Sequence, residues 1–228
     1  MGGQACVFYG AAQFSKDVDF VLLADEENYG RLHAALDELK ARRIAVPRFD
    51  PAALARGHAV HFRCDAPGVE GLRVDVMTRH RSLPGFSVMW ERRTVAADES
   101  GTEFDIMAVE DLVQAKKTQR EKDWPMIAAL VDVHFHAFAS DASPGRIEFW
   151  LREARTPETI AELCRQFPNE AAALQSHRPL LRLAQSDDLE PLRAALDAEV
   201  RAEQAKDRAY WEPLRRELEQ FRREERLA

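Results

Sequence analysis

Apolar positions in the first hundred residues recur at two periods, and the switching between them predicts a mixed α/β fold. Residues 17–24 (DVDFVLLA) form an apolar run that opens on two acidic residues, the pattern of a strand entering a buried sheet from a polar edge. Residues 26–42 place Tyr29, Leu32, Leu36 and Leu39 at helical spacing, and Asp25 stands where that helix needs an N-cap. Residues 58–64 (HAVHFRC) and 71–77 (GLRVDVM) both alternate, with turn-forming Asp65-Ala66-Pro67-Gly68 between them, which predicts an antiparallel pair. Another hairpin is expected from residues 92–97 and 103–107 around Glu99-Ser100-Gly101.

From Ala108 onward the pattern turns helical. Residues 108–122 and 124–138 read as two helices, with Pro125 tolerated in the first turn of the second. Residues 139–145 (ASDASPG) have linker composition, and residues 146–183 suggest two or three short helices punctuated by Pro157, Pro168 and Pro179. The tail from about residue 188 to 226 carries many i,i+4 opposite charges and reads as a long helix interrupted near Pro213. The expected organisation is an α/β domain over residues 1–138, a small mixed sheet with flanking helices, followed by a helical accessory region over 146–228.

Charge and cysteine usage narrow the chemistry. A net charge of −7 over 228 residues argues against a general nucleic-acid binder but leaves room for a local basic patch. Cys6, Cys64 and Cys164 are far apart and form no CxxC pair, so neither a zinc cluster nor a redox pair is expected. No apolar run approaches the roughly 18 residues of a membrane span, and no signal-peptide pattern opens the chain, so a cytoplasmic location without membrane partners is expected.

Three pieces carry candidate chemistry: Gly2-Gly3, the Asp17-Val18-Asp19 start of the first strand, and Asp75 inside the alternating segment RVDVM. Side chains two apart on a strand share a face, so Asp17 and Asp19 can aim both carboxylates at one site. Asp75 would share its face with Arg73 and Met77, while Val74 and Val76 pack on the other. Carboxylates gathered at one sheet edge repel one another unless a cation neutralises them, and hard oxygen donors suit Mg²⁺ (or Mn²⁺).

The run GGQACVFYGAAQFSKDVDF resembles the signature of the DNA polymerase β-like nucleotidyltransferase superfamily, a glycine turn and short helix before Asp-x-Asp, with a third Asp on a later strand. It is most similar to minimal nucleotidyltransferases and abortive-infection toxins through Gly2, Gly3, Ala5, Tyr9, Gly10, Ser15, Asp17 and Asp19. A later basic helix of that pattern is matched by Asp111, Leu112, Lys116, Arg120, Lys122 and Asp123. The resemblance covers about residues 1–135. It departs at Gln13, where many relatives carry an arginine, and in the strand that normally precedes the glycine turn, which is absent before Met1.

The resemblance implies transfer of a nucleoside monophosphate from an NTP to an acceptor, with release of pyrophosphate. Asp17, Asp19 and Asp75 would be catalytic and would bind the metal. Gly2, Gly3, Ser15 and Lys116 would bind the nucleotide. The acceptor stays open between RNA, protein and a small molecule such as an antibiotic. An inactive nucleotidyltransferase-like binding module, such as a toxin–antitoxin component, is the alternative. An antitoxin, or a second copy joined through the C-terminal helices, is the further expected partner. For Lys116 a triphosphate-facing role and a solvated charged face are equally open, whereas Arg120 and Asp123 read as a salt bridge on the same helix. The pairs His58/His61 and His134/His136 are not expected to form a metal site.

Overall fold

A computed structural model describes residues 1–227. The chain is mixed α/β, with a four-stranded sheet, a separate two-stranded sheet and a long C-terminal helix. The elements, in order, are α1 (Gly2–Phe8), β1 (Asp17–Val21), α2 (Glu26–Glu38), β2 (Arg42–Arg43), α3 (Pro51–Arg56), β3 (Val60–Arg63), β4 (Arg73–Met77), α4 (Phe86–Glu91), β5 (Thr94–Ala97) and β6 (Glu103–Ile106). Then follow α5 (Val109–Lys116), α6 (Trp124–Phe138), α7 (Pro144–Glu153), α8 (Pro157–Gln166), α9 (Pro168–Leu174) and α10 (Glu190–Leu227). Two compact units are formed: residues 1–8, 12–115 and 208–228, and residues 9–11 with 116–207.

In the first unit the sheet order is β1-β4-β3-β2. β1 runs parallel to β4, whereas β3 is antiparallel to both β4 and β2. Both expected antiparallel pairings are present, β3 with β4 and β5 with β6. One sheet face sends Val60, Phe62, Val74 and Val76 into a core with Tyr29, Leu36 and Leu54 from α2 and α3. α2 starts at the expected cap, where the Asp25 carboxylate accepts from the Asn28 amide at 2.7 Å. It stops at Glu38, short of the expected residue 42, because Lys40 takes a left-handed φ of 47°.

The second unit packs α6 to α9 around Phe135, Trp150, Leu151, Ile160, Leu163 and Leu181, all 1% exposed or less. Prolines stand in the first turn of α6, α7, α8 and α9, where a missing amide costs no helical bond. Residues 139–145, expected as a linker, form a 3-10 turn and the Ser143 cap of α7. His134 belongs to the packing, accepting from the Trp150 indole at 2.8 Å. Two other expectations change. The helix expected over 108–122 ends at Lys116, because Thr118, Arg120 and Asp123 bond to one another instead of leaving the backbone to continue. α10 runs unbroken through Pro213, so one lost amide does not divide a 38-residue helix.

The last stretch of α10 is bound into the first unit by ion pairs. Glu217 takes Arg56 at 2.6 Å and the buried His58 ring at 2.7 Å, and Glu225 takes Arg43 at 2.7 Å. Gly57 has a φ of 109°, and a Cβ there would lie 2.8 Å from the Tyr210 hydroxyl, so glycine suits both the helix end and this contact. Burial pushes the Glu217 carboxyl up, but the bonds from His58 and then Arg56 hold it, on balance, below its ordinary value of 4.5. A depressed folded-state value makes this carboxylate's contribution complete above the unfolded-state value, to be lost as pH falls through the folded-state value. Glu217→Gln is therefore expected to cost about 1–3 kcal/mol near neutral pH, since an amide cannot accept from both donors. Urea unfolding of the two proteins between pH 3 and 7 checks this, and the variant should lose less stability than the parent on the acid side.

Candidate active site

The parallel register of β1 and β4 sets the predicted aspartates on neighbouring strands. Asp19 lies opposite Asp75, and Asp17 lies opposite Arg73. His61 on β3 is the next neighbour of Asp75, and Arg63 the next neighbour of Arg73. Directly opposed residues share a face, so Asp17, Asp19, Arg73, Asp75, His61 and Arg63 all lie on the side away from the apolar core.

Asp75 is buried and fully engaged. Arg73 grips it in a fork, Nε to Oδ1 at 2.8 Å and Nη2 to Oδ2 at 2.9 Å. The His61 Nδ1 lies 2.8 Å from Oδ1, which can only accept, and 3.1 Å from the Arg73 Nη2, which can only donate; the shorter contact to the carboxylate assigns the proton to that nitrogen. Burial pushes the Asp75 carboxyl up, but the bonds from His61 and Arg73, with their charges, bring it below the usual range. Arg73 in turn is pushed up by its bond to Asp75, against the lowering effect of burial, with the charges of Asp75, Asp17 and Asp19 adding. The field of all three aspartates thus reaches one guanidinium.

The glycine pair sits against the same strand. Gly2 has φ 67°, and a Cβ built on it would lie 1.8 Å from the Asp19 Oδ2. A Cβ on Gly3 would lie 2.2 Å from the Ser15 Oγ, which itself donates to the Asp17 carbonyl at 3.0 Å. The Met1 nitrogen donates to the Asp19 carbonyl at 2.8 Å. Gly2, Gly3 and Ser15 are therefore held beside Asp17 and Asp19, in a space that side chains would close.

Lys116 belongs to the second unit, is buried, and has its ammonium 3.8 Å from Asp123. Arg120 also pairs with Asp123, at 2.8 Å, as expected, but across the turn after α5 and not along one helix. Asp111, on α5, is buried and paired with Arg92.

Two cavities in the first unit lie elsewhere. One of about 290 Å³ is lined by Val46, Pro47, Arg48, Phe221 and Glu225 among others. A smaller one, about 70 Å³, includes Phe20 and Val21 of β1 with Met89 and Trp90 of α4. Neither is lined by the three aspartates, and the chemistry of the polar sheet face outweighs cavity size in choosing the candidate site.

Among the described residues no group of three or more His, Cys, Asp or Glu is set to hold a metal ion. Arg73 and His61 account for this at Asp75, whose two oxygens they occupy. Asp17 and Asp19 are two hard oxygen donors on one face, and Mg²⁺ commonly takes only one or two carboxylates and fills its other positions with water and phosphate. The donor set fits such an ion.

Arg73 was placed on the face of Asp75 by alternation, whereas His61 and Arg63 were not singled out by the aspartate motif. The signal that finds them is the alternation of HAVHFRC, which puts His61 and Arg63 opposite Val60 and Phe62. No protein-family model and no curated protein matches this chain.

The fit of Gly2 against Asp19 yields a test. Gly2→Ala should destabilise the protein by about 1–2 kcal/mol from the left-handed backbone alone, with more added by the displaced Asp19. Gly30→Ala, inside α2 with open space and no positive φ, should not destabilise the protein. Equal melting temperatures for the two variants would show that Gly2 carries no such constraint.

Proposed function

We propose that the protein is a metal-dependent nucleotidyltransferase of the DNA polymerase β-like kind, moving a nucleoside monophosphate from an NTP to an acceptor. The observation that carries this reading is the register that sets Asp19 beside Asp75 and Asp17 beside Arg73 on one polar face, with Gly2 closed against Asp19. Asp17 and Asp19 would hold Mg²⁺ or Mn²⁺, with Asp75 bordering them from β4. Such an ion, when bound, neutralises the carboxylates and polarises phosphate oxygens. In the reaction an acceptor oxygen or nitrogen bonds to the α-phosphorus, the bond to pyrophosphate breaks, and the acceptor's proton passes to solvent.

The chain's own residues have separable parts in this. Arg73 and His61 fix the Asp75 carboxylate and keep it ionised. Its depressed pKa makes Asp75 a weak base, so we assign it to charge and position, not to proton removal. The backbone at Gly2 and Gly3, free of side chains, lets the first turn close on Asp19 and Ser15 and would hold them in place beside a bound nucleotide. Lys116 is paired with Asp123 inside the second unit and is given no part in this reading of the first. A second reading, an inactive nucleotidyltransferase-like binding module, is favoured by the same grip of Arg73 on Asp75, which occupies a carboxylate the chemistry could use.

Melting curves separate the two. In the parent, Mg²⁺ with NTP should raise the melting temperature, by about 2.7 kcal/mol of added stability at a hundredfold excess over Kd. Asp17→Asn with Asp19→Asn removes mutual repulsion together with the metal donors. That variant should be at least as stable as the parent without metal, gain nothing from Mg²⁺ and NTP, and transfer no nucleotide from labelled NTP. A parent with no shift under these conditions would leave the inactive module as the reading.

A further inference from the structure

The polar face of the sheet continues past the aspartates into a row of arginines. Across the strands from β1 the register runs Asp17, Arg73, Arg63, Arg42, one residue per strand. At about 4.8 Å per strand the row extends roughly 14 Å from the β1 end to Arg42. Arg63 is exposed and has no ion-pair partner among the described residues. The Arg42 side chain is 61% exposed and meets only the exposed Asp65, at 2.9 Å, a pairing that water screens to little net strength. Arg73 is spent on Asp75, yet its side chain keeps 39% of its surface accessible.

Arg73 and Arg42 have carboxylate partners, but Arg63 between them has none among the described residues, and like charges directly opposite on neighbouring strands oppose pairing. We propose that Arg63 and Arg42, with Arg73 at the inner end, seat the phosphodiester backbone of a single-stranded nucleic acid whose end reaches the aspartates as the acceptor. The proposal rests on the transferase reading for the word acceptor, and on the row alone for binding. Guanidinium groups are suited to phosphate by their planar, two-pronged donors. The length of the row selects a polymer: a triphosphate held at Asp17 and Asp19 ends after two P–O–P links and does not extend across three strands. A net charge of −7 gives little general attraction to nucleic acid, so affinity is modest and strongly dependent on salt.

The test is fluorescence anisotropy of a fluorescein-labelled single-stranded oligoribonucleotide, titrated over a range of KCl concentrations. The parent should bind at low salt. Arg42→Gln with Arg63→Gln should bind more weakly and flatten the log–log salt dependence by about 1.4, two contacts at about 0.7 each. Binding of a fluorescent NTP analogue with Mg²⁺ should be unchanged in that variant. Arg31→Gln, which removes one exposed arginine from α2, should leave the oligonucleotide's salt slope at the parent's value. The proposal is overturned if the parent does not bind the oligonucleotide at low salt, if the double variant keeps the parent's slope, or if it loses the NTP analogue instead. It is equally overturned if Arg31→Gln flattens the slope as much per arginine. Asp17→Asn with Asp19→Asn should still bind the oligonucleotide while losing transfer. Binding that follows the row in a parent that transfers nothing upholds the row and overturns the transferase reading.

Discussion

Parallel pairing of β1 with β4, in the register that sets Asp19 against Asp75, is the constraint on which the site depends. Side chains alternate along a strand with period two, so a slip of one residue would turn Asp17 and Asp19 towards the apolar side of the sheet and Val18 onto the polar face. The apolar side of the sheet forbids that slip. Val74 and Val76 are buried with Val60 and Phe62 beneath α2 and α3, and burying carboxylates in their place without partners would cost far more than pairing could return. The packing of one face thus fixes the electrostatics of the other.

Charge on the polar face is balanced locally. Asp75, the most buried of the three aspartates, receives both a guanidinium fork and an imidazole. Asp17 and Asp19 stand at the edge strand, where exposure is greater and a cation from solvent has access. Opposite charges on Arg73 and Asp75 lower the repulsion that three clustered carboxylates would otherwise impose, which is consistent with a sheet that folds before any ion is bound. The chemistry proposed for the face uses the two aspartates of the edge strand, which are less buried than Asp75.

Much of this was legible from residue order because local signals agreed. The Asp25 cap, the two antiparallel pairs and the short helices that open at Pro157 and Pro168 follow from side-chain period and turn chemistry alone. The strand residues Asp17, Asp19 and Asp75 were visible as a motif, and their faces as alternation. What failed were interactions between residues of ambiguous local preference. Helical spacing placed Lys116, Arg120 and Asp123 on one face, whereas Thr118 and Asp123 bond across a turn that ends α5. Pro213 marked a break that α10 does not make. The arginine row is illegible in sequence, because Arg42, Arg63 and Arg73 become neighbours only through the register of three strands.

The central claim is that one face of this sheet gathers a divalent cation and a nucleotide at Asp17 and Asp19. Paramagnetic broadening by Mn²⁺, read residue by residue in amide NMR spectra with a non-hydrolysable NTP analogue present, tests it most directly. Signals of Gly3, Asp17, Asp19 and Asp75 should be lost first, while those of Leu36 and Leu54 on the core side persist. Selective loss around Asp50, Glu224 and Glu225, at the larger cavity, or uniform broadening across the chain, would contradict it.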